Sequence, residues 1–137
     1  MATESQRILR RLAAFVLAAS CAAVLAATAT ASPDPGTYAA TISGATPALL
    51  NGSWKMTFGG GSYRITRNGK EAIGGFTAIH GAKITFEDYF GPYACRGAQQ
   101  NGTYRWAIAG KKLTFAVVKD SCAGRKTVLL RSFKKLS

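Results

Sequence analysis

The chain has 137 residues, with 18 Lys and Arg against 6 Asp and Glu, 15 Gly, 3 Cys and one His, so its formal net charge is +12. This length accommodates one ordinary domain, and the composition is neither of low complexity nor charged enough for a disordered chain. Because the N-terminal segment is expected to be removed, about a hundred residues remain, which excludes a two-domain enzyme.

The N terminus has the pattern of a secretory signal peptide. Arg7, Arg10 and Arg11 precede an apolar run from Leu12 to Leu25, and the small residues Ala29-Thr30-Ala31 follow. We predict cleavage after this last alanine, so that residues 1–31 are a signal peptide and the protein is secreted, extracellular or periplasmic. The alternative is an uncleaved membrane anchor, which the many Ala and Thr residues disfavour because they make the segment weakly hydrophobic. We expect no membrane span in the mature protein.

The positive charge and two of the cysteines belong to the mature chain. Without residues 1–31 the chain keeps 106 residues, 15 basic and 5 acidic side chains, and a charge of +10. Cys95 and Cys122 are an even number of cysteines in an exported domain, so we expect one disulfide. It would close a loop of about 28 residues and stabilise the fold by roughly 3 kcal/mol. A zinc site is the weaker alternative, because only His80 is available beside the two thiols.

Short alternating runs separated by glycines predict an all-β protein. Apolar and polar residues alternate from Ser53 to Phe58, Asn68-Gly69 is the strongest hairpin signal, and Gly74-Gly75 favours a bulge or a sharp bend. The last strand is predicted over 127–133, and no segment after residue 31 has a helical period. Seven strands are predicted between Ser53 and Phe133, and residues 37–42 are a candidate eighth strand.

Consecutive hairpin-connected strands predict an up-and-down meander that closes into a small antiparallel barrel of seven to eight strands. Closure is favoured because it removes the two exposed edges, which would otherwise promote aggregation. We place an extended N-terminal segment at 32–49 and the β-barrel domain at 50–137. The large residues expected to point inward form either a packed core, which we favour, or the lining of a pocket. These residues are Met56, Phe58, Tyr63, Ile65, Ile84, Phe86, Tyr104, Trp106, Leu113 and Phe115.

The sequence Gly52-Ser53-Trp54 at the start of the first long strand resembles the GxW signature of lipocalins and the wider calycin barrels. The arrangement of this signature with Cys95, Cys122 and a final apolar strand is similar to lipocalin-like proteins exported by bacteria. The resemblance implies that Trp54 packs across the closed end of the barrel beneath a basic residue of the last strand, Arg131 or alternatively Arg125. Lipocalins hold one small ligand, whereas a barrel of about 85 residues can be filled by its own side chains.

The residues do not favour catalysis. The mature chain has one His and five acids, and we predict no catalytic residue, no metal ligand and no cofactor. Glu87 and Asp88 are adjacent in a predicted strand, so their side chains point to opposite faces and cannot share one substrate atom.

We therefore expect a non-enzymatic, lipocalin-like barrel that binds a small apolar or amphipathic ligand, or an envelope component such as an anionic polymer. The predicted ligand contacts are Tyr63, Phe86, Tyr104 and Trp106, with Arg96 or Arg105 for an acidic group. Nucleic acid is not an expected partner of an exported protein. The alternatives are a protein-interaction module such as a protease inhibitor, with Ser32–Leu50 as its arm, or a structural cell-surface protein. Basic residues cluster late in the chain and could make one rim of the barrel electropositive: Lys111, Lys112, Lys119, Arg125, Lys126, Lys134 and Lys135.

Overall fold

Eight antiparallel strands form a closed barrel in a computed structural model that describes residues 33–137. Each strand pairs with the next along the chain, and β8 pairs with β1 to close the ring. The predicted all-β barrel is thus confirmed, while the signal peptide and its cleavage site lie outside the described residues. The strands are β1 Gly36–Ile42, β2 Gly52–Gly59, β3 Ser62–Arg67, β4 Lys70–His80, β5 Lys83–Phe90, β6 Asn101–Ala109, β7 Lys112–Lys119 and β8 Phe133–Lys135.

The connections of the barrel differ at its two ends. At one end, called here the turn end, tight turns join β2 to β3, β4 to β5 and β6 to β7. At the other, the loop end, longer segments follow β1, β5 and β7, and two of them contain the 3-10 turns Ala48–Leu50 and Gly97–Gln99. The exception is the Asn68-Gly69 hairpin, confirmed by positive φ angles of 50° and 78°. From Pro33 to Ser137, no helix is long and apolar enough to cross a membrane.

The candidate eighth strand at 37–42 is confirmed as β1, Gly36–Ile42, which lies within the segment placed before the barrel domain. In β1, Tyr38 lies opposite Met56 of β2 and Lys135 of β8, so this strand closes the ring. The segment 32–49 thus contains an extended stretch, as expected, and this stretch is a strand of the barrel. The boundary before residue 50 therefore falls within the connection between β1 and β2.

The strand predicted over 127–133 is wrong, because its first three residues are the last residues of the helix α1, Ala123–Leu129, and of the rest only Phe133 is in a strand. The Sγ of Cys122 caps its N terminus by accepting a hydrogen bond from the backbone N–H of Arg125. The short β8 pairs with only two residues of each neighbouring strand. Beyond β8, no strand of residues 33–137 lies between β1 and β7, so the barrel wall has an opening there. The helix α1 contacts β7 and the turn Ala48–Leu50 at this opening. Its buried residues Arg125, Val128 and Leu129 recur at helical spacing.

The predicted irregularity at Gly74-Gly75 is confirmed as a shift in register between β4 and β5. A Cβ at Gly75 would collide with the backbone carbonyl of Glu87, so only glycine permits this close approach of the two strands. The shift leaves Asp88 buried in the interior opposite Gly75 and places the Phe90 ring over Gly74 on the outer face, beside Arg64.

Candidate functional site

The interior of the barrel is filled by aromatic side chains. Phe86 has no exposed surface and contacts four other rings, with centroid distances from 5.1 Å to 6.2 Å. These rings belong to Phe58, Tyr63, Tyr104 and Phe115. The enclosed space between Tyr63, Phe86 and Leu129 has no room for a water molecule. Of the two alternatives left open by the sequence, this geometry supports the packed core.

The GxW residues lie at the loop end, but the guanidinium beside them comes from β3. Trp54 is fully buried, its indole N–H donates to the carbonyl of Leu50 at 2.8 Å, and its ring meets that of Tyr93 edge-on. Arg67 lies over the Tyr93 ring at 5.8 Å and donates to the carbonyl of Asn51.

Neither basic residue expected over Trp54 comes from a last strand. Arg131 is exposed in the bend before β8, because its segment turns out of α1 instead of continuing as a strand. The guanidinium of Arg125 is engaged with carboxylates and carbonyl groups instead. Gly52 has a φ of 142°, and the Asn68 side chain occupies the place where a Cβ would point.

A buried ion cluster of Asp88, Asp120 and Arg125 joins α1 to the barrel. Arg125 lies 3.0 Å from Asp88 and 2.7 Å from Asp120, and it also donates to the carbonyl groups of Gln99 and Gln100 at 2.8 Å. Both ion pairs are almost completely buried. A buried charge is tolerated only when it is paired and fully hydrogen-bonded, and this cluster meets that condition.

Hydrogen bonds keep Asp120 and Arg125 charged. Burial by itself lowers the pKa of Arg125, but the hydrogen bonds that it donates to Asp120 and the charges of both carboxylates raise the pKa above its ordinary value. Burial likewise acts to raise the pKa of Asp120. Hydrogen bonds from Arg125, from the Tyr104 hydroxyl and from the backbone N–H of Cys122 outweigh this effect, so the pKa is lowered. Asp120 and Arg125 are therefore ionised at neutral pH.

The predicted pairing of Cys95 with Cys122 is confirmed, with Cα atoms 6.3 Å apart. The backbone N–H of Cys95 donates to Asp88 at 2.7 Å, and that of Cys122 donates to Asp120 at 2.8 Å. The disulfide thus joins the two loop-end segments whose backbones hold the carboxylates of the ion cluster.

The six predicted ligand contacts do not converge on one site. The hydroxyl groups of Tyr63 and Tyr104 donate to Asp88 and Asp120, and Phe86 is at the centre of the core. Trp106 is half-buried, and its indole N–H has no partner among residues 33–137. The two arginines are exposed on the outside. Arg96 donates to the carbonyl of Tyr89, and Arg105 lies opposite Lys83.

The two cluster tyrosines predict a loss of stability in alkali. Burial raises the pKa of Tyr63 and Tyr104 far above 10, and the neighbouring Asp88 and Asp120 raise it further. Above pH 10 the unfolded chain releases protons that the folded protein keeps, so the free energy of unfolding falls as pH rises. The decline is up to about 1.4 kcal/mol per pH unit for each tyrosine.

Denaturation by urea between about pH 9 and pH 11 measures this decline. Tyr104→Phe is expected to reduce its slope, since it removes one of the titrating groups. Tyr89→Phe, at an exposed tyrosine, serves as the control and leaves the slope unchanged. Equal slopes in Tyr104→Phe and the unsubstituted protein would contradict the assignment.

A basic groove lies on the outside of the barrel at the turn end. It has a volume of about 350 Å³, is open to solvent and is lined by Lys111, Lys112 and Lys134, with Ala109, Ser132 and Phe133. Of the basic residues that cluster late in the sequence, Lys119 ends β7 at the loop end, Lys126 lies in α1, and Arg125 is buried. Lys135 is next to the groove and pairs with Asp34 at 3.2 Å.

The strand register places like charges directly opposite each other in this groove. Lys112 of β7 faces Lys134 of β8, and the row continues through Ala39 of β1 to Lys55 of β2. Opposed like charges on one face of a sheet destabilise it. Of the five acids in residues 33–137, all but Glu87 of β5 are in ion pairs with other basic residues. Within residues 33–137, the lysines that line the groove therefore have no ion pair with an acid.

No protein-family model, no curated protein and no solved structure matches this chain. What the structure shows at the level of the fold is a closed eight-stranded antiparallel barrel.

Proposed function

We propose that this protein is an exported, non-enzymatic, lipocalin-like barrel that binds an anionic component of the cell envelope through the basic groove. The observation that supports this function most strongly is the register that opposes Lys112 to Lys134 without an acid between them. Such an arrangement costs stability in the free protein, and a bound anion would relieve the repulsion.

The filled interior favours an outer binding surface. A small ligand inside a barrel needs a cavity of a few hundred cubic ångströms, and the space beside Phe86 does not admit a water molecule. The basic groove offers about 350 Å³ of accessible space on the surface. Its lysines are flexible, strongly hydrated cations that suit phosphate or carboxylate groups spaced along a polymer.

The protease-inhibitor alternative gains no support from the segment Ser32–Leu50. Because Gly36–Ile42 is β1, truncation of the arm would remove a strand that closes the barrel. A loss of inhibition after truncation would then report unfolding as readily as the loss of a contact.

Charge reversal in the groove tests the proposed function. Lys112→Glu/Lys134→Glu is expected to weaken binding of both an oligophosphate and an oligogalacturonate by about ten- to a hundredfold, because two charged hydrogen-bonding contacts are lost. Binding by the unsubstituted protein should also weaken steeply between about 50 and 200 mM salt as counterions compete. Titration calorimetry measures both effects.

The matched control is Lys70→Glu/Lys119→Glu, which makes the same change in net charge at two exposed lysines of the loop end. It should retain most of the affinity. An equal loss in both double variants would show that only the overall charge matters, and unchanged binding in the groove variant would refute the proposed site.

A further inference from the structure

Three aromatic residues form a patch on the outer face of β4 and β5, called here the aromatic patch: Phe76, Tyr89 and Phe90. Phe76 is 53% exposed and Tyr89 is 60% exposed, and their rings meet edge-on with centroids 5.7 Å apart. Single exposed apolar residues are ordinary, whereas a contiguous group on a sheet face is typical of a binding surface.

The backbone beneath the patch holds Phe90 in place. Its ring occupies the space where a Cβ at Gly74 would lie, so the ring is held against the sheet at a position that only glycine allows. The guanidinium of Arg64, in the adjacent strand β3, lies over the Phe90 ring at 5.7 Å from the ring centroid. Glycine within a strand usually weakens it, and here it permits a fixed orientation of an aromatic side chain.

An open groove of about 390 Å³ adjoins the patch. Phe76, Phe90 and Arg64 form part of its lining, together with small residues that include Gly59 and Ser62. The groove is open to solvent, so a ligand can reach these side chains.

The charges around the aromatic patch are balanced, unlike those of the basic groove. Arg64 pairs with Glu71 at 3.6 Å, and Glu87 lies opposite Phe76. Arg96 donates to the carbonyl of Tyr89 at 2.9 Å. Two guanidinium groups and two carboxylates thus provide hydrogen-bond donors and acceptors without a net charge.

We propose that the aromatic patch binds the sugar rings of the envelope polymer, so that the ligand class is an anionic polysaccharide. The C–H groups on one face of a pyranose pack against the electron-rich face of an aromatic ring, and its hydroxyl groups match the balanced donors and acceptors. This inference rests on the proposed function, in which the basic groove binds the charged groups of the same polymer.

The two surfaces are linked by an outer face on which most side chains are small. On β1 and β2, the outward residues between Lys134 and Arg64 include Thr37, Ala39 and Thr57, with Thr57 directly opposite Arg64. A polymer that follows the strands around the barrel therefore passes mainly small side chains between the lysine row and the groove beside the aromatic patch, with the exposed Leu136 next to Thr37 as the large one.

Two probes separate the contributions of sugar and charge: an oligogalacturonate, and an oligophosphate of equal charge that contains no sugar. Phe76→Ser/Tyr89→Ser is expected to weaken oligogalacturonate binding by about tenfold while leaving oligophosphate binding unchanged. The control Val117→Ser/Val118→Ser, at two other exposed apolar residues, should bind both probes like the unsubstituted protein. Thermal unfolding of each variant checks that the barrel is intact.

Unchanged affinity of the aromatic variant for oligogalacturonate would overturn the inference, as would an equal loss for both probes. Self-association of the unsubstituted protein in sedimentation velocity that disappears in the aromatic variant would also overturn it, because the patch would then bind a second copy. Binding of neutral cellohexaose tests the patch without charge. One outcome separates the two proposals: Lys112→Glu/Lys134→Glu binds both anions normally, but Phe76→Ser/Tyr89→Ser no longer binds cellohexaose. The proposed function of the basic groove would then be refuted, while the aromatic patch would be supported as a sugar-binding site.

Discussion

Replacement of Arg125 by methionine is expected to lower the free energy of unfolding by about 3–5 kcal/mol. The substitution removes the partner of Asp88, which has no exposed surface, and of Asp120, and it leaves the carbonyl groups of Gln99 and Gln100 without their side-chain donors. It also removes the polar anchor that holds α1 against the barrel. Urea denaturation at neutral pH measures the loss.

Two controls separate the ion cluster from general effects of the substitution. Lys126→Met changes the next residue of α1, which is only partly buried, and should alter stability by less than about 0.5 kcal/mol. The triple variant Asp88→Asn/Asp120→Asn/Arg125→Met removes every charge of the cluster. It should regain part of the stability lost in Arg125→Met, because no carboxylate remains unpaired. A loss below about 1 kcal/mol in Arg125→Met would contradict the account of a tightly coupled cluster.

Replacement of Phe86 by alanine is expected to cost about 3–5 kcal/mol, since it opens a cavity at the centre of the barrel. The ring meets Tyr63, Tyr104 and Phe115 edge-on and Phe58 at a tilt, and these aromatic interactions are lost as well. Phe76→Ala removes the same ring from the exposed surface and should cost far less.

The same variant tests whether the interior is filled. A dry apolar cavity in Phe86→Ala should bind benzene, which the unsubstituted barrel excludes. Thermal unfolding with and without benzene measures this as a rise in the melting temperature of the variant alone. A rise of equal size in the unsubstituted protein would show that an internal binding site already exists.

The barrel could be predicted because local signals agreed with the global fold. Alternation from Trp54 to Phe58, the Asn68-Gly69 turn and the paired glycines at 74 and 75 all favoured short, curled strands. The helix α1 could not be predicted in this way, because Thr127 and Val128 favour a strand locally. The Cys122 cap and the opening in the barrel wall outweigh that preference.

The ion cluster was missed because its members are far apart along the chain. One signal was available: Asp88 continues the inward series Ile84 and Phe86, and an inward carboxylate requires a partner. The identity of that partner, Arg125, depends on the helix that the sequence did not predict.

The basic groove was only partly visible in the sequence. Lys111, Lys112 and Lys134 are all in the late cluster, but closure of the barrel brings Lys55 into the same row. No local pattern relates a lysine of β2 to one of β8, because their alignment depends on the register of β1 between them. The basic residue beside Trp54 was assigned to the last strand by the family resemblance, whereas the strand order places Arg67 of β3 at that end.

The most direct test of binding through the outer surface is a map of amide chemical shifts during titration of ¹⁵N-labelled protein with oligogalacturonate. Binding through the basic groove and the aromatic patch predicts the largest changes at Lys112, Lys134 and Lys55, with a second group at Phe76 and Tyr89. Changes concentrated at core residues such as Phe86 and Leu113, with none along the lysine row, would contradict it and place the ligand inside the barrel.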